Sequence, residues 1–170
     1  FGGWTGACSG TVTSVPAGIN CGTDCTESYL DGTSVTLTVA PASGWEVYAW
    51  SGSGSTCTAP THTCTTSMTA ARNVTVELRR QWTVTVNTSG SGSGTVTATG
   101  ISCTTPMTGC TTTVFEGSNL TLTQSQGTQG GASQSRFGGW TGACSGTGTT
   151  CTLSNITSNQ TVGASSILQY

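Results

Sequence analysis

Apolar and hydroxyl-bearing residues alternate with period two along Trp82-Thr83-Val84-Thr85-Val86, Val35-Thr36-Leu37-Thr38-Val39, Leu120-Thr121-Leu122-Thr123 and Val74-Thr75-Val76-Glu77-Leu78. In an extended chain that period sends one set of side chains to each face. The pattern therefore predicts strands with one buried face and one face of threonine, whose branched Cβ is stiff and suits the pleat. Helix signals are nearly absent, and the expected class is all-β. The inward set is read as Val35, Leu37, Val39, Trp50, Val74 and Val76 in the first half and Trp82, Val84, Val86, Leu120, Leu122 and Trp140 in the second. The Gly/Ser run from Thr88 to Gly94, lying between two alternating segments, predicts a hairpin. Asp31-Gly32 and Glu116-Gly117 read as tight turns into strands. Gln124 to Ser135 reads as a long polar loop.

The same landmarks come round twice. Phe-Gly-Gly-Trp-Thr-Gly-Ala-Cys-Ser-Gly occurs unchanged at Phe1 to Gly10 and at Phe137 to Gly146, with a looser copy at Tyr48 to Gly52. Thr11-Val12-Thr13 matches Thr95-Val96-Thr97, Cys21 and Cys25 match Cys103 and Cys110, and Cys57 and Cys64 match Cys144 and Cys151. A fixed order of matched landmarks is the signature of a repeat, here two modules, 1–80 and 81–170, meeting near Arg80. Module one has Phe1 to Gly10 where module two opens with the strand Trp82 to Asn87, so residues 1–10 read as an extra segment, a candidate donor strand with Phe1, Trp4 and Gly10 as its landmarks. Leu168-Gln169-Tyr170 resembles Arg80-Gln81-Trp82, and both ends read as cut from a longer pattern. Arg79 and Arg80 read as a solvated linker.

Modules this small bury a limited fraction of their surface and need help. The chain holds nine Cys. Zinc sites want Cys at intervals of two to four residues, converging in fours and often joined by His; His62 is the one His, beside a pair of the wrong interval. Local disulfides fit better: Cys21 with Cys25, Cys57 with Cys64, Cys103 with Cys110 and Cys144 with Cys151. Such bonds imply an oxidising, extracytoplasmic compartment. Cys8 is left over, as an unpaired thiol or an intermolecular partner.

Charged residues make up 6% of the chain, four of them Arg with no Lys and six carboxylates, too few for a nucleic-acid footprint. No run approaches the ~20 apolar residues of a membrane helix. Nucleophile-and-base chemistry would need His62. Glycosidase chemistry would draw on Asp24, Glu27, Asp31, Glu46, Glu77 and Glu116, of which Asp31 and Glu116 are repeat equivalents at turns. A calcium site would have to gather Asp24, Glu27 and Asp31. Trp50 and Trp140 occupy equivalent positions and read as core, whereas Trp45 has no counterpart and is the candidate exposed aromatic for stacking on sugars.

Thr-Val-Thr followed by Pro16-Ala17-Gly18-Ile19-Asn20-Cys21-Gly22-Thr23-Asp24-Cys25, then Tyr29 and Gly32 to Thr38, then Gly139 to Gly148, resembles the divergent internalin-type (InlB-like) B-repeat modules found in tandem in secreted and surface proteins of bacteria. The resemblance covers nearly the whole chain. It implies small strand-rich modules, β-grasp-like or β-sandwich-like, serving as spacers or adhesive units, with no catalytic residue and no cofactor. The chain departs from the pattern in its missing first strand, in Gln124 to Ser135, and in the wider spacing of Cys103 and Cys110. The reading that results is a non-enzymatic structural or adhesive protein of the bacterial exterior, with itself (head to tail, as a fimbria-like filament) or neighbouring repeats as partner, and with glycans or a host surface as a further possibility. The alternative is a carbohydrate-binding or accessory module of a larger secreted protein.

Overall fold

The computed structural model describes residues 9–22, 24–53, 55–127 and 134–169. The expectations for Phe1, Trp4 and Cys8 lie outside these. Among the described residues there are strands and no helix: β1 (Gly10–Val15), β2 (Asn20–Cys21), β3 (Ser34–Pro41), β4 (Trp45–Ser51), β5 (Thr63–Ser67), β6 (Thr75–Ser89), β7 (Gly94–Ala98), β8 (Ile101–Thr104), β9 (Met107–Phe115), β10 (Leu120–Gln126), β11 (Gln134–Gly142), β12 (Thr150–Leu153) and β13 (Gln160–Gln169). The chain divides into two compact units, Phe1–Arg80 and Gln81–Tyr170.

In the first unit an antiparallel sheet of order β2-β1-β3-β5 faces β4 and residues 75–80 of β6. The period-two alternation turns Val12, Val35, Leu37 and Val39 inward to meet Val47 from the opposing sheet, and Ile19, Cys21 and Cys64 complete the cluster. In the second unit β8-β7-β10-β12 repeats that order, opposed by β11, β13, residues 81–89 of β6, and β9. Its core joins Val84, Val86, Val96, Leu120, Leu122, Phe137, Trp140 and Val162. Each unit is thus built of two sheets packed over one core, as one-sided strands require. Trp50, Val74, Val76 and Trp82 pack against these clusters and remain half-buried.

Three sequence expectations change. Trp82 to Asn87 and Thr95 to Thr99 do not form a hairpin, because β6 pairs with β9 and β13 while β7 pairs with β8 and β10. The Gly/Ser run instead passes from one sheet to the other against the β13 backbone. At Gly90 (φ 108°) a Cβ would stand 2.0 Å from the Ser166 carbonyl oxygen, an approach that only glycine permits. Arg79 and Arg80, expected as a linker, lie within β6, opposite Glu46 and Trp45. The polar loop is shorter than its sequence predicts, since β10 runs to Gln126 and β11 begins at Gln134, with Gln124 and Ser135 buried.

Candidate functional site

The residues that define the repeat do the same work in both units. Trp50 donates its indole N–H to the Thr61 carbonyl at 2.8 Å, and Trp140 donates to Gly148 at 2.7 Å. Thr61 and Gly148 hold the same position inside the loops closed by the Cys57–Cys64 and Cys144–Cys151 disulfides. Each indole therefore satisfies one carbonyl of a disulfide loop. Cys21–Cys25 and Cys103–Cys110 are also bonded, with Cα atoms 4.5 and 6.1 Å apart. At the turns, Gly32 N–H donates to Met68 O and Gly117 N–H to Ile156 O, while Thr33 donates to Leu30 O and Ser118 to Phe115 O. Those bonds make Leu30 the counterpart of Phe115, and Asp31 and Glu116 members of equivalent turns.

One equivalent pair differs in kind. Val39 N–H donates to His62 O and Gln124 N–H to Thr149 O, so a fully apolar side chain in the first unit is replaced by an amide in the second. Gln124 is 4% exposed, and neither its Nε2 nor its Oε1 finds a hydrogen-bond partner. An unsatisfied buried amide costs about 1–3 kcal/mol. Gln124→Met, which keeps the volume and removes the polarity, is expected to raise the stability of the second unit by about that amount in urea unfolding; a loss of stability would mean that the amide is paired.

A sparse chain of charges gathers on one part of the first unit. Glu46 accepts a hydrogen bond from His62, Arg79 Nε donates to Glu77 Oε1 at 2.7 Å, and the Arg79 guanidinium lies 3.5 Å from the Tyr48 ring centroid, within cation–π range. Burial pushes the Glu46 carboxyl up, but hydrogen bonds from His62 and the Val47 N–H, with the His62 charge, outweigh it and hold Glu46 below its ordinary value. Tyr48 is 39% exposed, whereas Trp45, the expected exposed aromatic, is half-buried. The reason is alternation from Val47: Trp45 shares its inward face and Tyr48 takes the outward one, while the register shift between Val47 and Ala49 returns Trp50 to the inner face opposite Val76. The cluster was missed in the sequence because its members come from β4, β6 and a disulfide loop.

The remaining candidates do not converge. Asp24 Oδ1 accepts from Thr26 N and Oγ1, and Glu27 Oε1 accepts from Ser28 N. Among the described residues no three His, Cys, Asp or Glu side chains form a group able to hold a metal ion. Among the described residues no helix is long and apolar enough to cross a membrane.

The most asymmetric feature concerns a strand. In the second unit Gln160–Ser165 of β13 is flanked by β11 and, in parallel, by Val84–Ser89 of β6. The counterpart in the first unit is fixed by the repeated Trp: Trp140 pairs with Ala164 and Trp50 with Val76. Residues 75–79 pair with β4, and among the described residues no strand takes the parallel place on their other edge.

Residues 11–80 match the family model of the divergent InlB B-repeat domain. The match marks this segment as a repeat module of the kind that bacterial surface proteins carry. No curated protein and no solved structure matches the chain.

Proposed function

We propose that this protein is a non-enzymatic structural or adhesive component of the bacterial exterior whose repeats associate end to end, copies of the chain joining into a filament. The observation that carries the reading is β6, a single strand whose residues 75–80 finish one unit and whose residues 81–89 begin the next. A strand edge offers main-chain hydrogen bonds, and another chain can supply the strand that takes them up. The four local disulfides support an oxidising, extracellular setting. The near-absence of charge, with 6% charged residues, leaves little electrostatic repulsion against stacking. A head-to-tail contact is complementary without being self-complementary, so it propagates rather than closes.

Light scattering of the purified chain across a range of concentrations tests this. The full chain is expected to give masses that grow in multiples of 17.0 kDa, and deletion of Phe1 to Gly10 is expected to return it to the monomer. A full chain that stays monomeric throughout would overturn the filament.

A further inference from the structure

We infer that the second unit carries a built-in conformational weak point. The corner where Ser166–Gln169 of β13, Gln134–Arg136 of β11 and the run Gly90–Gly94 meet opens as one piece while the rest of the unit stays folded. This is a property of the second unit alone and holds whether or not copies of the chain assemble.

The first unit supplies the comparison. The register of β4 on β6 and that of β11 on β13 are the same, bulge included, so Trp45, Val47 and Leu78 stand where the second unit has Ser135, Phe137 and Ser166. The backbone bonds to His62 O and Thr149 O add Val39 and Gln124 to the correspondence. Three apolar side chains, Val39, Trp45 and Leu78, are thus replaced by Gln124, Ser135 and Ser166, and Phe137 in the place of Val47 returns part of the lost volume. In the first unit Val39 belongs to the core and Leu78 packs against it. In the second the three polar residues are inside as well, Ser135 and Ser166 at 6% and 3% exposure beside Gln124. Closing such a corner withdraws polar groups from water and buries little apolar area in return, so it gains little from being closed.

The corner is also one connected piece. A Cβ on Gly94 would stand 2.7 Å from Ser166 Oγ and 2.9 Å from Gln124 Nε2, so both side chains converge over that glycine. Ser93 N–H donates to Ser135 Oγ at 2.9 Å, and the two hydroxyl oxygens are 3.2 Å apart. β6 pairs with β13 as far as Ser165; beyond it Gly92 N–H donates to Ser166 O at 2.9 Å and Leu168 N–H to Ser91 Oγ at 3.3 Å. Gly90, Gly92 and Gly94 regain more backbone freedom on opening than any other residue type would, and opening hydrates the Gln124 amide that finds no partner when closed. Segments with few buried apolar contacts are the ones that open below the free energy of global unfolding. The opened end of β13 presents main-chain groups that another strand can take up.

Hydrogen exchange of the purified chain, read residue by residue in native buffer and corrected for intrinsic rates, tests this. The amides of Ser166–Gln169 and Gln134–Arg136 are expected to exchange together, about tenfold or more faster than those of Val162 and Ala164 in the same strand and those of Leu78–Arg80 in the first unit. Gln124→Met is expected to slow the corner by about tenfold and to leave the first unit unchanged. Ser166→Val, which returns an apolar side chain to the place of Leu78, is expected to act in the same direction. Corner amides as slow as those of Val162 and Ala164 would overturn the weak point. Exchange that quickens steadily from Ser166 to Gln169 and ignores both substitutions is ordinary end fraying and would overturn it too. Slowing spread evenly over the whole second unit would mean that the corner opens only with global unfolding, which is the third refuting outcome.

Discussion

Trp140→Ala is expected to destabilise the second unit by about 3–5 kcal/mol, the range for truncating a buried Trp. Trp140 is 4% exposed, packs edge to face on Phe137 with ring centroids 5.0 Å apart, and spends its indole N–H on Gly148 O at 2.7 Å. Alanine removes the packing, leaves a cavity and orphans a carbonyl in the Cys144–Cys151 loop. Small domains hold only about 5–15 kcal/mol in all, so the unit would lose a large share of its stability. The equivalent Trp50→Ala should cost less, because Trp50 is half-buried. Urea unfolding of the two variants followed by fluorescence checks the order; an unchanged midpoint for Trp140→Ala would refute the packing role.

Replacing Cys144 and Cys151 together by Ala is expected to cost about 2–3 kcal/mol, from the loop-closure entropy that the bond removes from the unfolded chain. Cys57–Cys64 and Cys103–Cys110 close loops of the same sequence separation, 7, and should cost alike. Cys21–Cys25, with a separation of 4, should cost less, because loop-closure entropy rises with loop length. Thermal unfolding of the paired variants, with peptide mapping under non-reducing conditions, tests both the connectivity and the ranking. A bond between Cys57 and Cys144 on mapping would sink the assignment.

The parts of the fold that were legible in the sequence are those set by short-range rules. Alternation over Val35 to Val39, Leu120 to Thr123 and Trp82 to Val86 is enough to choose extended chain and to say which side chains face inward, because the pleat converts period two directly into a face. The duplicated Phe-Gly-Gly-Trp-Thr-Gly-Ala-Cys-Ser-Gly and the paired Cys spacings gave the repeat, since equivalent residues meet equivalent surroundings; Trp50 and Trp140 even donate to equivalent carbonyls.

What stayed hidden depends on partners far away in the chain. A Gly/Ser run between two alternating segments has the composition of a hairpin turn, and only the β13 backbone beneath Gly90 and Gly92 shows that it carries the chain between sheets. Tyr48 and Trp50 would share the outward face by alternation alone; the bulge opposite β6 turns Trp50 inward, opposite Val76. Gln124 looks like a loop residue in a polar stretch, yet it occupies the place of Val39 in a core. By itself the sequence determined the strands, their inward faces, the cysteine pairs and the twofold repeat, all consequences of local geometry and internal identity. Which strands are neighbours was decided by tertiary structure alone, because pairing is a choice among distant segments with nearly the same Val/Thr alternation.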